Sequence, residues 1–226
     1  MIRRDKDRKK EKMEVDSMSA VVGVTPNSLG SAYIETPHAK VTAAIFGPRQ
    51  FPIGEVRNEA RFNVRAVVEG AAATTGGSVS DRERSLCAQV VQSLEAITLL
   101  PRMGQFLYDV VIQCHFGGDV CAETDAAITA ASLACADAGI EIKDILCCTT
   151  VTGPEPLVCP ATMHSLRSAG ARLRVASGTS AEGGIVHMSL SGVMGDRRKL
   201  EEAMSLCTEV NRKRRHMLIE ALTRVA

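Results

Sequence analysis

Apolar residues alternate with polar or small ones in short bursts along the first third of the chain, and Pro, Gly and Asn separate the bursts. The bursts AVVGV (20–24), SAYIET (31–36), KVTAAIFGP (40–48) and ARFNVRAVVE (60–69) predict four β-strands in an antiparallel meander. A small-residue loop, GAAATTGGSVS (70–80), follows, and the period then changes. Leu86, Val90, Leu94 and Ile97 recur at helical spacing, which predicts a helix capped by Ser80 and running to about Ile97. YDVVIQCHF (108–116) reads as a further strand. Beyond it, Thr124 or Asp125 is placed to cap a helix that Gly139 ends in a left-handed turn. That helix is built of Ala, Ser, Cys, Thr, Ile and Leu nearly all the way round, a composition that suits burial on most faces. DILCCTTV (144–151) reads as a central strand, and ARLRVAS (171–177) with GIVHMSLSG (184–192) as a hairpin. Asp196 opens a long amphipathic helix carrying Leu200, Met204, Cys207, Leu218 and Leu222. Grouped strands followed by helices, without strict alternation, predict an α+β domain with helices on a mostly antiparallel sheet.

Composition narrows this picture. With 226 residues, 45% hydrophobic and 23% charged, the chain resembles an ordinary globular domain, so residues 19–226 are expected to form one. Residues 1–18 open with MIRRDKDRKKEKMEVD, which mixes both charge signs without apolar periodicity and is read as a mobile charged tail. Its basic residues are open to RNA contact or nuclear import as well as to plain solvation. No apolar run approaches the roughly 18 residues that span a bilayer, and no apolar leader is visible, so no membrane partner is expected and the protein is placed in cytosol or nucleus. The eight cysteines sit in apolar runs without metal-ligand spacing and are expected to be reduced core thiols. A net charge of +1 excludes coating nucleic acid by bulk electrostatics, and 3% aromatics exclude an extended base-stacking surface. Any RNA contact must then be local.

Two stretches carry a resemblance. GSAYIETPHAKVTAAIFGPRQ (30–50) resembles the strand-turn-strand signature of the ribonuclease PH family, and AAITAASLACADAGIEIKDIL (126–146) is similar to that family's second motif. The first is closer to eukaryotic RNA exosome ring subunits than to the bacterial enzyme. The resemblance covers roughly residues 20–224. It implies a ribonuclease PH fold of ribosomal-protein-S5-like topology, assembled side by side into a six-membered ring through whose channel RNA threads. Active members cut the RNA 3′ end with inorganic phosphate, held by a Gly-Thr-Arg turn at the start of the buried helix, with nearby acids moving protons or holding a divalent metal.

At that turn this chain reads Glu123-Thr124-Asp125, so Asp stands where the family has Arg. Two unit charges about 4 Å apart interact by roughly 4 kcal/mol at an effective dielectric near 20. Inverting one of them weakens phosphate binding by well over about a thousandfold. The alternatives for the two acids are a magnesium site, which draws on one or two carboxylates, and plain stabilisation of the helix dipole. Downstream, Cys159 and Arg172 stand where active relatives carry acids, and between Asp144 and Asp196 the only carboxylates are Glu155 and Glu182. A thiol of ordinary pKa is a poor substitute for a catalytic acid. Arg61, Arg65, Arg82 and Arg84 are candidate RNA contacts, since a guanidinium fork suits phosphodiesters, although Glu83 beside the last two fits a solvated helix start equally well. NRKRRH (211–216) is read as a solvated face and the five histidines as incidental.

These readings converge on a protein that is not an enzyme: a non-catalytic exosome ring subunit, without cofactor or metal, lining the RNA channel and supporting 3′-to-5′ RNA degradation and rRNA processing. Its expected partners are other ribonuclease PH-like ring subunits, cap proteins and RNA, in the nucleus, including the nucleolus, and the cytoplasm. Two alternatives stand beside it: an active phosphate-dependent exoribonuclease, alone or with a shared site, and a free-standing nucleic-acid adaptor.

Overall fold

A computed structural model of the chain describes residues 18–52, 58–69, 79–117, 120–153, 157–158, 170–180 and 183–224. The charged tail through residue 17, the small-residue loop through residue 78, and Cys159 lie outside the described residues, whereas Met18, expected to belong to the tail, is buried in the core.

The elements are β1 (Ser19–Val22), β2 (Gly30–Thr36), β3 (Ala39–Gln50), β4 (Arg61–Val68), α1 (Val79–Ile97), β5 (Phe106–Gly117), α2 (Val120–Asp137), β6 (Leu146–Gly153), β7 (Leu157–Val158), β8 (Ala171–Gly178), β9 (Ile185–Gly192) and α3 (Arg197–Thr223). They form two sheets, ordered β1-β2-β3-β5-β4 and β7-β6-β8-β9. All pairings are antiparallel except that of β4 with β5.

The expected four-strand meander is therefore only three strands long. β5, whose Val110, Ile112 and Cys114 are fully buried, inserts between β3 and β4. β4 reaches it through α1 and so runs parallel to it, as a helical crossover requires. Alternation within each strand marked it correctly, but alternation does not say which strand lies beside which.

Helix α2 is the hub. Every residue from Glu123 to Cys135 is buried, because the helix lies against β2 and β3 of the first sheet and β6 of the second. Small side chains make this close approach feasible. At Gly30 any Cβ would land on the Ala138 backbone and the Ala134 carbonyl, and beside it the Ser31 N–H donates to Asp137 Oδ2 at 2.8 Å. The two signature stretches are thus two sides of one contact. The helix ends as expected: Gly139 has φ +68°, its N–H donates to the Ala136 carbonyl, and Ile140 N–H donates to that of Cys135, closing a Schellman turn. Polar residues on α2 have structural partners. β7 pairs only with Val151 and Thr152 of β6, and upstream the N–H groups of Leu146 and Cys148 donate to Ser132 Oγ (2.8 Å) and Thr129 Oγ1 (3.1 Å).

The helix starts differ from expectation. α1 begins at Val79, one residue before its expected cap Ser80, and α2 begins at Val120, several residues before Thr124 and Asp125. Cys121, Ala122 and Glu123 contain nothing that breaks a helix, so the element extends back through them. On the opposite face of the second sheet, α3 covers Val151, Leu173 and Val175 with Ala203 and Cys207. It starts after Asp196, although the Asp196 side chain makes no capping bond. No helix among the described residues is long and apolar enough to cross a membrane.

Candidate functional site

Glu123 closes the first turn of α2 and Thr124 and Asp125 open the second, at 1%, 3% and 8% exposure. Thr124 Oγ1 turns back onto its own helix and donates to the Val120 carbonyl at 2.8 Å, so it offers no hydroxyl to a ligand at the helix tip. The two carboxylates have guanidinium partners. Arg82, in the first turns of α1, forms an ion pair with Glu123 through Nη2. Arg174, from the middle of β8, donates through Nε to Asp125 Oδ1 at 2.8 Å, and both side chains are only 11% exposed. The same Oδ1 accepts from Thr150 Oγ1 (2.8 Å) and Cys148 Sγ (3.4 Å), and Arg174 Nη1 donates to Gln89 Oε1 at 2.5 Å.

The reason for this meeting is register. Along β8, Leu173 and Val175 face α3, which leaves Arg174 and Ala176 facing α2. Burial works against the Arg174 charge, but the Asp125 carboxylate beside it more than compensates and holds the guanidinium above its ordinary range. Burial, then the same carboxylate, pushes the Cys148 thiol well up. His187 on β9 is pushed down by burial and then by Arg174. Cys148 is thus a neutral donor and His187 a neutral ring near pH 7.

This changes the electrostatic character of the turn. The acids do not present net negative charge to the outside, since Glu123 and Asp125 are balanced by Arg82 and Arg174. Among the described residues, the two acids of the turn are thus each answered by a guanidinium, while the buried Arg82 Nε keeps no hydrogen-bond partner. Nor are the acids free to ligate a metal: each faces a different guanidinium, and among the described residues no group of three or more His, Cys, Asp or Glu side chains is placed to hold a metal ion.

The remaining candidates are dispersed. Arg172 lies on β8 opposite Thr152 and Ser191, half-buried. Arg61 and Arg65 are exposed on the outer face of β4, away from α2. Arg84 is exposed and pairs with Asp81 at 2.9 Å. Arg82 is the member of that set turned inward, and any phosphate contact it made would compete with Glu123. The NRKRRH stretch is divided: Asn211 and Arg214 are buried and only the others face outward. Thr149 Oγ1 donates to Asn211 Oδ1 (2.6 Å), Asn211 Nδ2 donates to Ser177 Oγ (2.8 Å), and Arg214 Nη1 donates to Thr149 Oγ1 (3.2 Å). Sequence reasoning missed Arg174, Gln89, Thr150 and this second network. The available signal was that Arg174 sits between the apolar Leu173 and Val175 in a strand that has helices on both sides.

Residues 14–141 match the 3′ exoribonuclease family, domain 1. Among curated proteins the chain is similar to "Exosome complex component Rrp41" of Thermococcus kodakarensis, 33% identical over 144 residues that make up 61% of this chain and 56% of that protein. It is also similar to "Exosome complex component RRP41 homolog" of Arabidopsis thaliana, 32% identical over 142 residues, 58% of this chain and 56% of that one. The match thus spans little more than half the length of these relatives. Among solved structures, rice Rrp46 superposes with a TM-score of 0.75 at 17% identity, covering 90% of this chain and 93% of that one. A chain of the Archaeoglobus fulgidus exosome with RNA bound to the active site gives 0.70 at 17% identity, covering 89% and 87%. Both share the fold described above.

Proposed function

This chain belongs to the 3′ exoribonuclease family of the ribonuclease PH type, and from that premise we propose that it is a non-catalytic ring subunit of an RNA exosome. It would supply part of the channel wall and docking faces for ribonuclease PH-like neighbours and cap proteins, while another component cleaves. The observation that carries this reading is the Asp125–Arg174 pair. Where the family's phosphate-binding arginine is expected, a buried aspartate directs its charge to a strand arginine, and Arg172 stands at an expected acid position. Support for ring membership comes from relatives and structural neighbours that are themselves exosome components. Work in 3′-to-5′ decay and rRNA processing, and residence in nucleus, nucleolus and cytoplasm, belong to the same proposal.

The second reading, a working phosphorolytic exoribonuclease, draws on the Rrp41 relatives and on the two arginines beside the helix start. One experiment separates the two. The purified chain is incubated with oligoadenylate and inorganic phosphate, and released nucleoside diphosphate is measured, in parallel with mass spectrometry of proteins that co-purify with a tagged native copy. Ring subunits in the pull-down and no diphosphate release are expected; steady release by the pure chain overturns the inert assignment.

A further inference from the structure

The two halves of α3 are attached to separate apolar clusters. The second half belongs to the main core through Leu218 and Ala221, at 0% and 4% exposure. The first half, residues 197–210, covers the outer face of the second sheet with Ala203 and Cys207, against Val151, Leu173 and Val175. The larger side chains there, Leu200, Met204 and Leu206, are only partly buried. Between the halves lies a polar belt. Asn211 Nδ2 donates to Ser177 Oγ and to the Val175 carbonyl (3.3 Å), while Asn211 Oδ1 accepts from Thr149 Oγ1, which itself accepts from Arg214. Arg214 is buried, and its Nε has no acceptor. The start of the helix is weak as well. Arg197, Arg198 and Lys199 form its first turn with no acid among them, so three cations sit at the positive end of the helix dipole. The Arg197–Glu201 ion pair beside them is exposed and offsets little of this. Gly192 and Gly195, at φ +89° and +80°, flank the short link that leads in from β9.

We infer that residues 197–210 form a flap that opens as a unit of its own, between the glycine-flanked link and the polar belt, while residues 215–223 stay seated. Ordering the flap costs backbone entropy at every position. The burial that offsets this comes mainly from Ala203, Cys207 and Val210, which hide less apolar area than the Leu and Ile side chains of the main core. The belt does not tie the halves together as a shared apolar cluster would, because water replaces its hydrogen bonds at small net cost. Few buried apolar contacts mark the segments that open below the global unfolding free energy. The closed form dominates, and opening has a defined consequence. It bares Val151, Leu173 and Val175. In register, Leu173 and Val175 lie beside Leu190 and Met188 of β9, which are already 45% and 48% exposed. The open form therefore carries one continuous apolar strip across the second sheet, most of which the closed flap covers. The flap is a conformational device that sets how much apolar sheet the protein exposes, and it stands apart from the exosome reading.

The test is amide hydrogen exchange of the full chain, resolved by NMR along α2 and α3 and repeated at low urea concentrations. Amides of residues 203–210 are expected to exchange at least about tenfold faster than those of residues 126–135 in α2. Their urea dependence should be less than about half as steep, because local opening exposes little surface. K199E puts an acid at the third helical position, where the dipole favours it and where it can reach back to the Asp196 N–H. It is expected to slow exchange in residues 203–210 by about threefold or more and to leave residues 126–135 unchanged. Equal rates and equal urea dependence in the two helices overturn the inference, since α3 would then open only with the whole molecule. So does a smooth gradient that reaches the α2 rate by residue 206, which is fraying of a helix end, and so does K199E slowing both helices alike. Ring membership is read separately from the pull-down, so the flap and the scaffold reading can fail independently.

Discussion

Removing one member of the Asp125–Arg174 pair should cost more than removing both. In R174M, the Asp125 carboxylate stays buried with only Thr150 and Cys148 as donors, and the Gln89 amide loses its partner as well. In D125N, a guanidinium only 11% exposed keeps its charge without a counter-charge. Breaking a buried pair on one side costs about 3–5 kcal/mol, whereas replacing both ions by packed apolar groups is often neutral or stabilising. At a urea dependence of about 2 kcal/mol per molar, each single variant should lower the midpoint by about 1.5–2.5 M. The double variant D125L/R174M should recover most of that loss. Equilibrium unfolding of the four proteins at pH 7 gives the coupling energy directly. Additive losses in the cycle, or singles that lose less than about 1 kcal/mol, would mean that the charges are solvated independently. The core would then not be the neutral, closed arrangement on which the inert assignment stands.

Other expectations follow from separate parts of the molecule. G30A forces a methyl group onto the Ala138 backbone and the Ala134 carbonyl, so overpacking should cost about 1–3 kcal/mol, read as a lower unfolding midpoint; an unchanged midpoint would show that β2 and α2 can separate freely. Burial pushes the Cys114 and Cys135 thiols up to about 12, and Cys147, Cys148 and Cys207 are raised and buried too. At pH 8, iodoacetamide followed by mass spectrometry should leave all five unmodified in the native chain and modify them in denaturant. The Asp109 carboxyl is depressed in the folded state, so it contributes stability that is complete above its unfolded pKa of about 3.9 and disappears as pH falls through the folded value. The stability gap between wild type and D109N should therefore be present at pH 7 and shrink progressively as pH falls below about 4 toward the depressed folded value; a gap of constant size throughout the acid limb would point to shape rather than charge.

Local periodicity proved a good guide to which segments are strands and helices, for a physical reason. A strand with one buried face must alternate, and an amphipathic helix such as α1 must repeat Leu86, Val90, Leu94 and Ile97, all of which are buried. Order within the sheet was less legible, because β5 and β3 would alternate in the same way wherever they were placed. The start of α2 was misplaced because a cap residue in the sequence is also a tolerable residue inside a helix, and tertiary burial decided the matter. At the site, the sequence displayed an aspartate where the family resemblance leads one to expect an arginine, but not the arginine that pairs with it. Arg174 lies 49 residues from Asp125, and only the register of β8 against β6 brings them together.

That long-range pairing bears on how the buried acid is held. An acid placed alone at the start of a fully buried helix would have to shed its charge or expose itself, at a cost of several kcal/mol. Here a strand arginine, a threonine hydroxyl and a glutamine amide are positioned around the pair, and a second arginine from α1 answers Glu123. The substitution Asp125→Arg, made alone, would set a new guanidinium against that of Arg174 inside the same closed space. It would not recreate an anion site without also emptying position 174. The proposed loss of catalysis is therefore carried by the core packing around α2, and recovery of phosphate binding would require reworking β8 together with the helix start.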